Sequence, residues 1–319
     1  MDRPVILVTS RAPDPVVLAL EAHGRVVFGA DPARGMSRAE ALSRVAEASA
    51  VINQNELRID AELLAAAPLL KIVANTAAGF DNMDIAAMRS RGVWGTNCPD
   101  SYAADTATHA LALLLALAKR LVEADGYVRS GRWKTDGWMP GGRWDGMSLS
   151  GKRIGIVGHG RIGREVERRA EAFGMEVVHH SRSGEGAPGW LPLDRLLATA
   201  DVVSLHCPLT PDTRHLIDAA AFAAMRPGAI LINLARGPVV KNDDLVAALR
   251  TGRIAGAGLD VFEFEPDVPA ELADMPNVML TPHMGGCTVE ARNHAWGVCT
   301  DNVGRVLAGG PPRTPAFSM

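Results

Sequence analysis

Between residue 4 and about residue 97, short apolar runs (VILVTS, RVVFG, AVIN, LKIVAN and VWGTN) alternate with stretches of helical periodicity such as Ser37 to Ala48 and Asp60 to Ala67. That alternation predicts a parallel sheet covered by helices. From Asp100 to Ser130 the pattern becomes one long helical stretch, and the Gly- and Trp-rich segment SGRWKTDGWMPGGRWDG after it reads as an excursion between elements. A second alternating series places strands at Arg153–Val157, Met175–His179, Asp201–Leu205, Ile230–Leu234, Ile254–Asp260 and Val278–Thr281. Six strands suit a doubly wound sheet. A last helical pattern runs from about Thr288 to Leu307, and because the first series lacks a closing element of its own, this helix is expected to return to it. The expected organisation is α/β: a discontinuous domain of residues 1–99 and 287–319, and a second domain of residues 100–286.

A chain of 319 residues has room for two such domains, each with its own core. Lys+Arg 33 against Asp+Glu 36, a formal net charge of −3, gives no general basic face for nucleic acid, so a small-molecule partner is expected. The cysteines, Cys98, Cys207, Cys287 and Cys299, show no C-x-x-C pair or metal-ligand spacing; they read as reduced cytoplasmic thiols, with no metal site. The most apolar segment, Ala110 to Ala118, falls short of the ~20 residues that cross a bilayer, so a buried helix is expected there and no membrane partner. The start, MDRPVILVTS, enters a strand-like run without the apolar core and cleavage site of a signal peptide.

Candidate chemistry begins at Gly158-His159-Gly160-Arg161-Ile162-Gly163, which follows the strand RIGIV and opens the helical segment REVERRAEAFG. In that context Gly158 permits the tight turn, Gly160 lets the backbone approach a pyrophosphate, and Gly163 allows helix to pack on strand, with the free amides of the helix start facing the phosphates. Eighteen residues past Gly163, where an acid often binds the adenine ribose of NAD, stand Ser181, Arg182 and Ser183. An anion there would repel a 2′-phosphate. Arg182 instead offers it a charge-assisted bond worth about 1.5 to 3 kcal/mol, with the serines donating beside it. The pattern points to NADPH over NADH; the competing reading is a solvated arginine in an enzyme indifferent to the two.

Ligands of open parallel sheets gather outside the carboxyl ends of strands. Three polar residues stand at successive strand ends: Arg236 in ARG, Glu265 in FEFEP after Asp260, and His283 in PHMGG. This set suits reversible hydride transfer between a 2-oxo acid and a 2-hydroxy acid. Arg236 can clamp the substrate carboxylate and carbonyl through two donors. His283 can give a proton to the developing alkoxide, and an adjacent Glu265 would favour the imidazolium and carry its working range upward.

At GHGRIG, NLARGPVV, GAGLDVFEFEP and TPHMGG the sequence resembles the D-isomer-specific 2-hydroxyacid dehydrogenase family over nearly its whole length. The resemblance implies two Rossmann-like domains with parallel sheets and a cleft between them. One is a flavodoxin-like, discontinuous substrate-binding domain and the other a doubly wound dinucleotide-binding domain through which the protein dimerises. It implies the Arg236, Glu265 and His283 roles given above, and Asp260 as the holder of the nicotinamide carboxamide. As further cofactor contacts it implies Arg161, Ile162, Thr106, His206, Cys207, Pro208 and Leu209, Thr213, Leu234, Ala235 and Gly285. In NTAAGFDN, residues 75–82, backbone amides near Ala77, Ala78 and Gly79 are implied to take the substrate carboxylate. Phosphoglycerate-type members usually have an arginine where Asn75 stands.

The segment VRSGRWKTDGWMPGGRWDG and the HSRS stretch are similar to glyoxylate and hydroxypyruvate reductases, several of which prefer NADPH. That similarity implies that Trp138 reaches the neighbouring subunit's substrate pocket; a role in anchoring its own loop stands equally open. Small Ala77 and Ala78 leave room for a longer sugar acid, so 2-ketogluconate reduction and a broad D-2-hydroxyacid dehydrogenase compete with the smaller substrates. A reading of another class, a corepressor-like sensor of NAD(P)(H), finds no basic tail or partner-binding extension to support it.

Overall fold

The apolar runs form two parallel sheets. In the computed structural model, which describes residues 3–31, 34–138, 141–182 and 184–319, the backbone divides into two units, Met1–Tyr102 with Cys287–Met319, and Ala103–Gly286.

In the first unit β1 (Val5–Val8), β2 (Arg25–Phe28), β3 (Ala48–Asn53), β4 (Ile72–Asn75) and β5 (Trp94–Thr96) pair in the order β2-β1-β3-β4-β5, all parallel. Successive side chains point to opposite faces, and both faces are buried. Ile6, Val8, Ile52, Ile72 and Ala74 join one apolar cluster, while Leu7, Val51 and Val73 join the other. The first of these is closed by the helix Val289–Leu307 through Trp296, Cys299 and Val303, which is why that C-terminal helix belongs to this unit. Cys98 and Cys299 are buried here as thiols with their sulfurs 3.7 Å apart.

The second unit holds β6 (Arg153–Val157), β7 (Glu176–His180), β8 (Val202–Leu205), β9 (Ala229–Asn233), β10 (Ile254–Leu259) and β11 (Val278–Leu280), ordered β11-β10-β9-β8-β6-β7 and all parallel. A single parallel bridge from Trp190 to His179 adds the trace of one more strand beyond β7. The chain leaves β6 toward one side for β7 and returns for β8 on the other, so the strand order reverses between β6 and β8, the point where an open α/β sheet binds its ligand.

The helical stretch expected from Asp100 to Ser130 is not one helix. It breaks into Ala103–Ala118 and Leu121–Arg129, with Arg120 in the left-handed conformation at φ 52. The cause is tertiary: the returning loop brings the Met147 amide to the Ala118 carbonyl at 2.8 Å, closing the first helix. Arg120 is then held by Glu123 and by the Arg143 carbonyl, 2.7 and 2.6 Å away. Among the described residues no helix is long and apolar enough to cross a membrane, and no cluster of His, Cys, Asp or Glu could hold a metal.

Candidate active site

The three glycines of the turn after β6 answer to different demands. Gly158 has φ +99, and a β-carbon on it would lie 2.4 Å from the Cys207 amide; one on Gly163 would lie 2.3 Å from the Gly158 carbonyl oxygen. The protein's own packing therefore requires both. Gly160 has an ordinary φ of −85, and a β-carbon on it meets nothing within 4 Å. Its lack of a side chain leaves room for something approaching from outside, and the helix Arg161–Ala172 that starts there, with no acid in its first turn, directs its positive end to the same place. These residues fit the pyrophosphate of a nicotinamide dinucleotide. His159 leaves that surface open: its imidazole stacks on His179 with ring centroids 3.7 Å apart and bonds Glu167 at 2.7 Å.

At the end of β7 the Ser181 carbonyl accepts from Trp190 Nε1 at 3.0 Å. Arg182 extends into solvent, its side chain 73% exposed and its guanidinium 3.6 Å from Asp212. Ser183 lies outside the described residues. After β8, His206 bonds the Ser204 hydroxyl at 2.8 Å, and burial pushes its pKa down to about 3, so it is neutral. Burial likewise pushes the Cys207 thiol up to about 11. The Thr213 hydroxyl donates to the Pro208 carbonyl at 2.6 Å, which ties the 208–213 loop to itself.

Thr106, Leu234, Asp260 and Gly285 are brought together: a β-carbon on Gly285 would lie within 3.5 Å of the other three; Ala235, buried, follows Leu234. Asp260 is 2% exposed. Burial alone would raise its carboxyl, but donors from His109, Thr281, Met284 and Gly285 outweigh it and hold the group below the usual carboxylate range. Sequence reasoning missed His109 and Thr281. A lone histidine at the start of an apolar helix carries no local signal.

His283 sits at φ 52, a conformation costing a residue with a β-carbon roughly 1–2 kcal/mol. Its amide donates to the Asp260 carbonyl at 2.9 Å, and its Nδ1 lies 2.8 Å from Glu265 Oε2. The hydrogen bond to Glu265 raises the imidazole above the ordinary histidine value against the opposing effect of burial. Burial pushes Glu265 the other way, but the bonds from His283 and from the Phe262 amide at 2.9 Å keep it ionised. A carboxylate only accepts, so Nδ1 carries a proton and Nε2 is the nitrogen left to exchange one. The charge of Arg236 favours the ionised Glu265 and opposes the protonated His283, while its guanidinium donates to the Ala235 carbonyl at 2.8 Å.

In the first unit, the turn after β4 is held from behind. Tyr102 donates to the Thr76 carbonyl, the Cys98 amide to Ala77 at 2.8 Å, Asn97 to Ala78 at 2.6 Å, and buried Asn75 to Gly79 at 3.1 Å. Among the described residues the amides of Ala77, Ala78 and Gly79 have no acceptor. Four fixed carbonyls thus accompany three unpaired amides, the type of donor that backbone anion sites use. Trp138, 87% exposed, belongs to the separate apolar surface of Tyr127, Val128, Trp133 and Trp144 in the second unit.

Residues 111–285 match the model of the D-isomer specific 2-hydroxyacid dehydrogenase, NAD binding domain. The chain is 45% identical over 298 residues to a glyoxylate reductase of Thermococcus onnurineus (strain NA1), covering 91% of this chain and 89% of that one. A D-3-phosphoglycerate dehydrogenase of Mycobacterium leprae is 39% identical over 317 residues, 97% of this chain and 58% of that one. Among solved structures, the TT0316 protein from Thermus thermophilus superposes with a TM-score of 0.92 at 42% identity, covering 98% of this chain and 100% of that one. An NADPH-dependent glyoxylate/hydroxypyruvate reductase from Sinorhizobium meliloti, in complex with NADP and malonate, does so at 0.88 and 34%, covering 99% and 97%. The chain belongs to the D-isomer specific 2-hydroxyacid dehydrogenase family and is an NAD(P)-dependent oxidoreductase.

Proposed function

We propose that the protein reduces glyoxylate and hydroxypyruvate to glycolate and D-glycerate, with NADPH preferred over NADH. The observation that carries the reading is the His283–Glu265 pair, 2.8 Å apart on a turn held in the left-handed conformation, with the charge of Arg236 acting on both. When bound, the nicotinamide supplies the hydride. Arg236 orients the oxo acid by gripping its carboxylate and carbonyl. His283 gives the Nε2 proton to the oxygen that becomes the alcohol, while Glu265 keeps Nδ1 protonated and the ring charged beforehand. The amides of Ala77, Ala78 and Gly79 are the proposed receivers of the carboxylate, and Ser181 and Arg182 the proposed partners of the 2′-phosphate. Relatives named as glyoxylate reductases at 42–45% identity support the substrate class.

The test is a panel of glyoxylate, hydroxypyruvate, 2-ketogluconate and 3-phosphohydroxypyruvate with NADPH and with NADH, followed by absorbance of the reduced cofactor. The reading expects the two small acids and NADPH to give the highest kcat/KM. A best rate with 2-ketogluconate favours the wider pocket that Ala77 and Ala78 leave, and no reduction of any acid overturns the enzyme. Phosphohydroxypyruvate is expected to be poor, because Asn75, buried and bonded to Gly79 and Asn82, offers no cation.

The segment of residues 121–138 exposes Leu121, Val122, Val128, Trp133 and Trp138, apolar side chains that support assembly as a homodimer through the second unit. Light scattering at the mass of two chains is the expected result; a monomer at micromolar concentration overturns it.

A further inference from the structure

His109, on the helix Ala103–Ala118, has no part in the roles assigned above, yet it begins a directed chain of hydrogen bonds that ends at the catalytic turn. Its Nε2 lies 3.0 Å from Thr281 Oγ1, and Thr281 Oγ1 donates to Asp260 Oδ1 at 2.6 Å. The threonine hydroxyl has one proton, and it goes to a carboxylate that cannot return one. His109 Nε2 must therefore be the donor, so that nitrogen carries a proton.

Asp260 turns its carboxylate and its backbone carbonyl on the segment that carries His283. Its Oδ1 accepts the Met284 amide and its Oδ2 the Gly285 amide, each at 2.8 Å, and its backbone carbonyl accepts the His283 amide at 2.9 Å. The first of these three residues, His283, is the one held at φ 52. A left-handed turn is unfavourable for histidine and persists only where its surroundings over-determine it. Asp260 supplies that over-determination, and His109 with Thr281 orients Asp260, whose Oδ1 also lies 3.5 Å from His109 Nε2.

We propose that His109 is a positioning residue for the reduction: through Thr281 and Asp260 it locks the turn that holds the His283 imidazole against Glu265. The proposal rests on the reading of His283 as proton donor. The charged groups that act on His283 are Glu265, through its hydrogen bond, then Arg236 and Asp260. Of these, the contact with Glu265 depends most steeply on where the turn holds the ring.

The experiment compares wild type with His109→Leu, which removes the donor, and His109→Gln, whose amide nitrogen stands near the place of Nε2. The His283 ring is titrated by NMR in the protein without cofactor, and kcat and KM are measured for glyoxylate and NADPH. The expected result for His109→Leu is a His283 midpoint moved down toward the ordinary histidine value. Its kcat falls about 10-fold while the KM for NADPH stays within about 2-fold. His109→Gln restores both. A His283 midpoint unchanged in His109→Leu, or one equally lowered in His109→Gln, overturns the proposal. Should the leucine variant not fold, Thr281→Val breaks the same chain and carries the same expectation. If wild type reduces no 2-oxo acid, the proposed function fails, while the titration still decides whether His109 sets the state of His283.

Discussion

Gly237 lies flat against the backbone of Phe262: a β-carbon on the glycine would fall 1.9 Å from both the Phe262 carbonyl carbon and its oxygen. The residue before it is Arg236, and Glu265 lies three residues after Phe262. The absence of one side chain thus sets the separation between the proposed substrate clamp and Glu265, the acid bonded to His283.

Gly237→Ala is therefore expected to force these two segments apart. Overpacking of this kind costs about 1–3 kcal/mol of stability, and displacement of a catalytic group by about 1 Å can cost about 100-fold in rate. Steady-state kinetics beside a thermal melt check this: kcat/KM for the oxo acid should drop further than a stability loss alone explains, because the variant is still folded at assay temperature. A variant of wild-type activity would mean that the Arg236 and Glu265 segments are not mutually constrained.

The pH dependence follows from the sign of the His283 shift. If His283 is the proton donor proposed above, reduction needs it protonated, and its partner Glu265 raises its pKa. Activity in the reducing direction should then persist above about pH 6.5, the unperturbed histidine value, and fall as pH rises through the raised pKa. The oxidation of the 2-hydroxy acid needs the neutral ring and should rise over the same interval. Glu265→Gln keeps an acceptor for Nδ1 but removes the charge, so the limb should move toward lower pH and kcat at neutral pH should fall by about 10- to 100-fold. An unmoved limb in the glutamine variant would assign the titration to another group.

Cofactor choice is set against an internal competitor. Arg182 stands 3.6 Å from Asp212, both largely exposed, so the arginine proposed to meet a 2′-phosphate already has an acid in its vicinity. Arg182→Ala is expected to raise KM for NADPH by about 10- to 100-fold with a much smaller change for NADH. Asp212→Asn should act oppositely, lowering KM for NADPH by a few fold, since an exposed pair is worth at most about 1 kcal/mol. Equal effects of either change on the two cofactors would remove Arg182 from 2′-phosphate recognition.

What could be read from the chain alone divides along a physical line. Buried parallel strands need continuous apolar runs, so all six strands of the second unit were legible to within a residue or two at either end, Arg153–Val157 at both ends. The glycine turn after β6 was legible because strand, glycines and helix are contiguous. The break at Arg120 was not, because its cause is the Met147 amide arriving at Ala118 from a later loop. His109 was hidden for the same reason, its partner Thr281 lying 172 positions away. The asparagines and tyrosine behind the Thr76–Gly79 carbonyls were equally silent, since a side chain that satisfies a distant carbonyl leaves no periodicity to read.

The last prediction concerns those carbonyls. Asn97, 7% exposed, donates to the Ala78 carbonyl at 2.6 Å. Asn97→Ala leaves that carbonyl without its donor in a partly buried place, which costs about 1–3 kcal/mol. It also frees the peptide between Ala78 and Gly79 to rotate, and the Gly79 amide belongs to that same peptide. Once it turns, one of the three unpaired amides no longer points with the others. If these amides receive the carboxylate, KM for glyoxylate should rise about 10-fold, equivalent to one charge-assisted bond, while KM for NADPH, bound by the second unit, stays near wild type. Asn97→Asp, which replaces the donor by a repelling carboxylate, should be worse than alanine in the same KM. Parallel increases in both KM values, or none, would show that the turn after β4 is a structural feature and not the substrate's anchor.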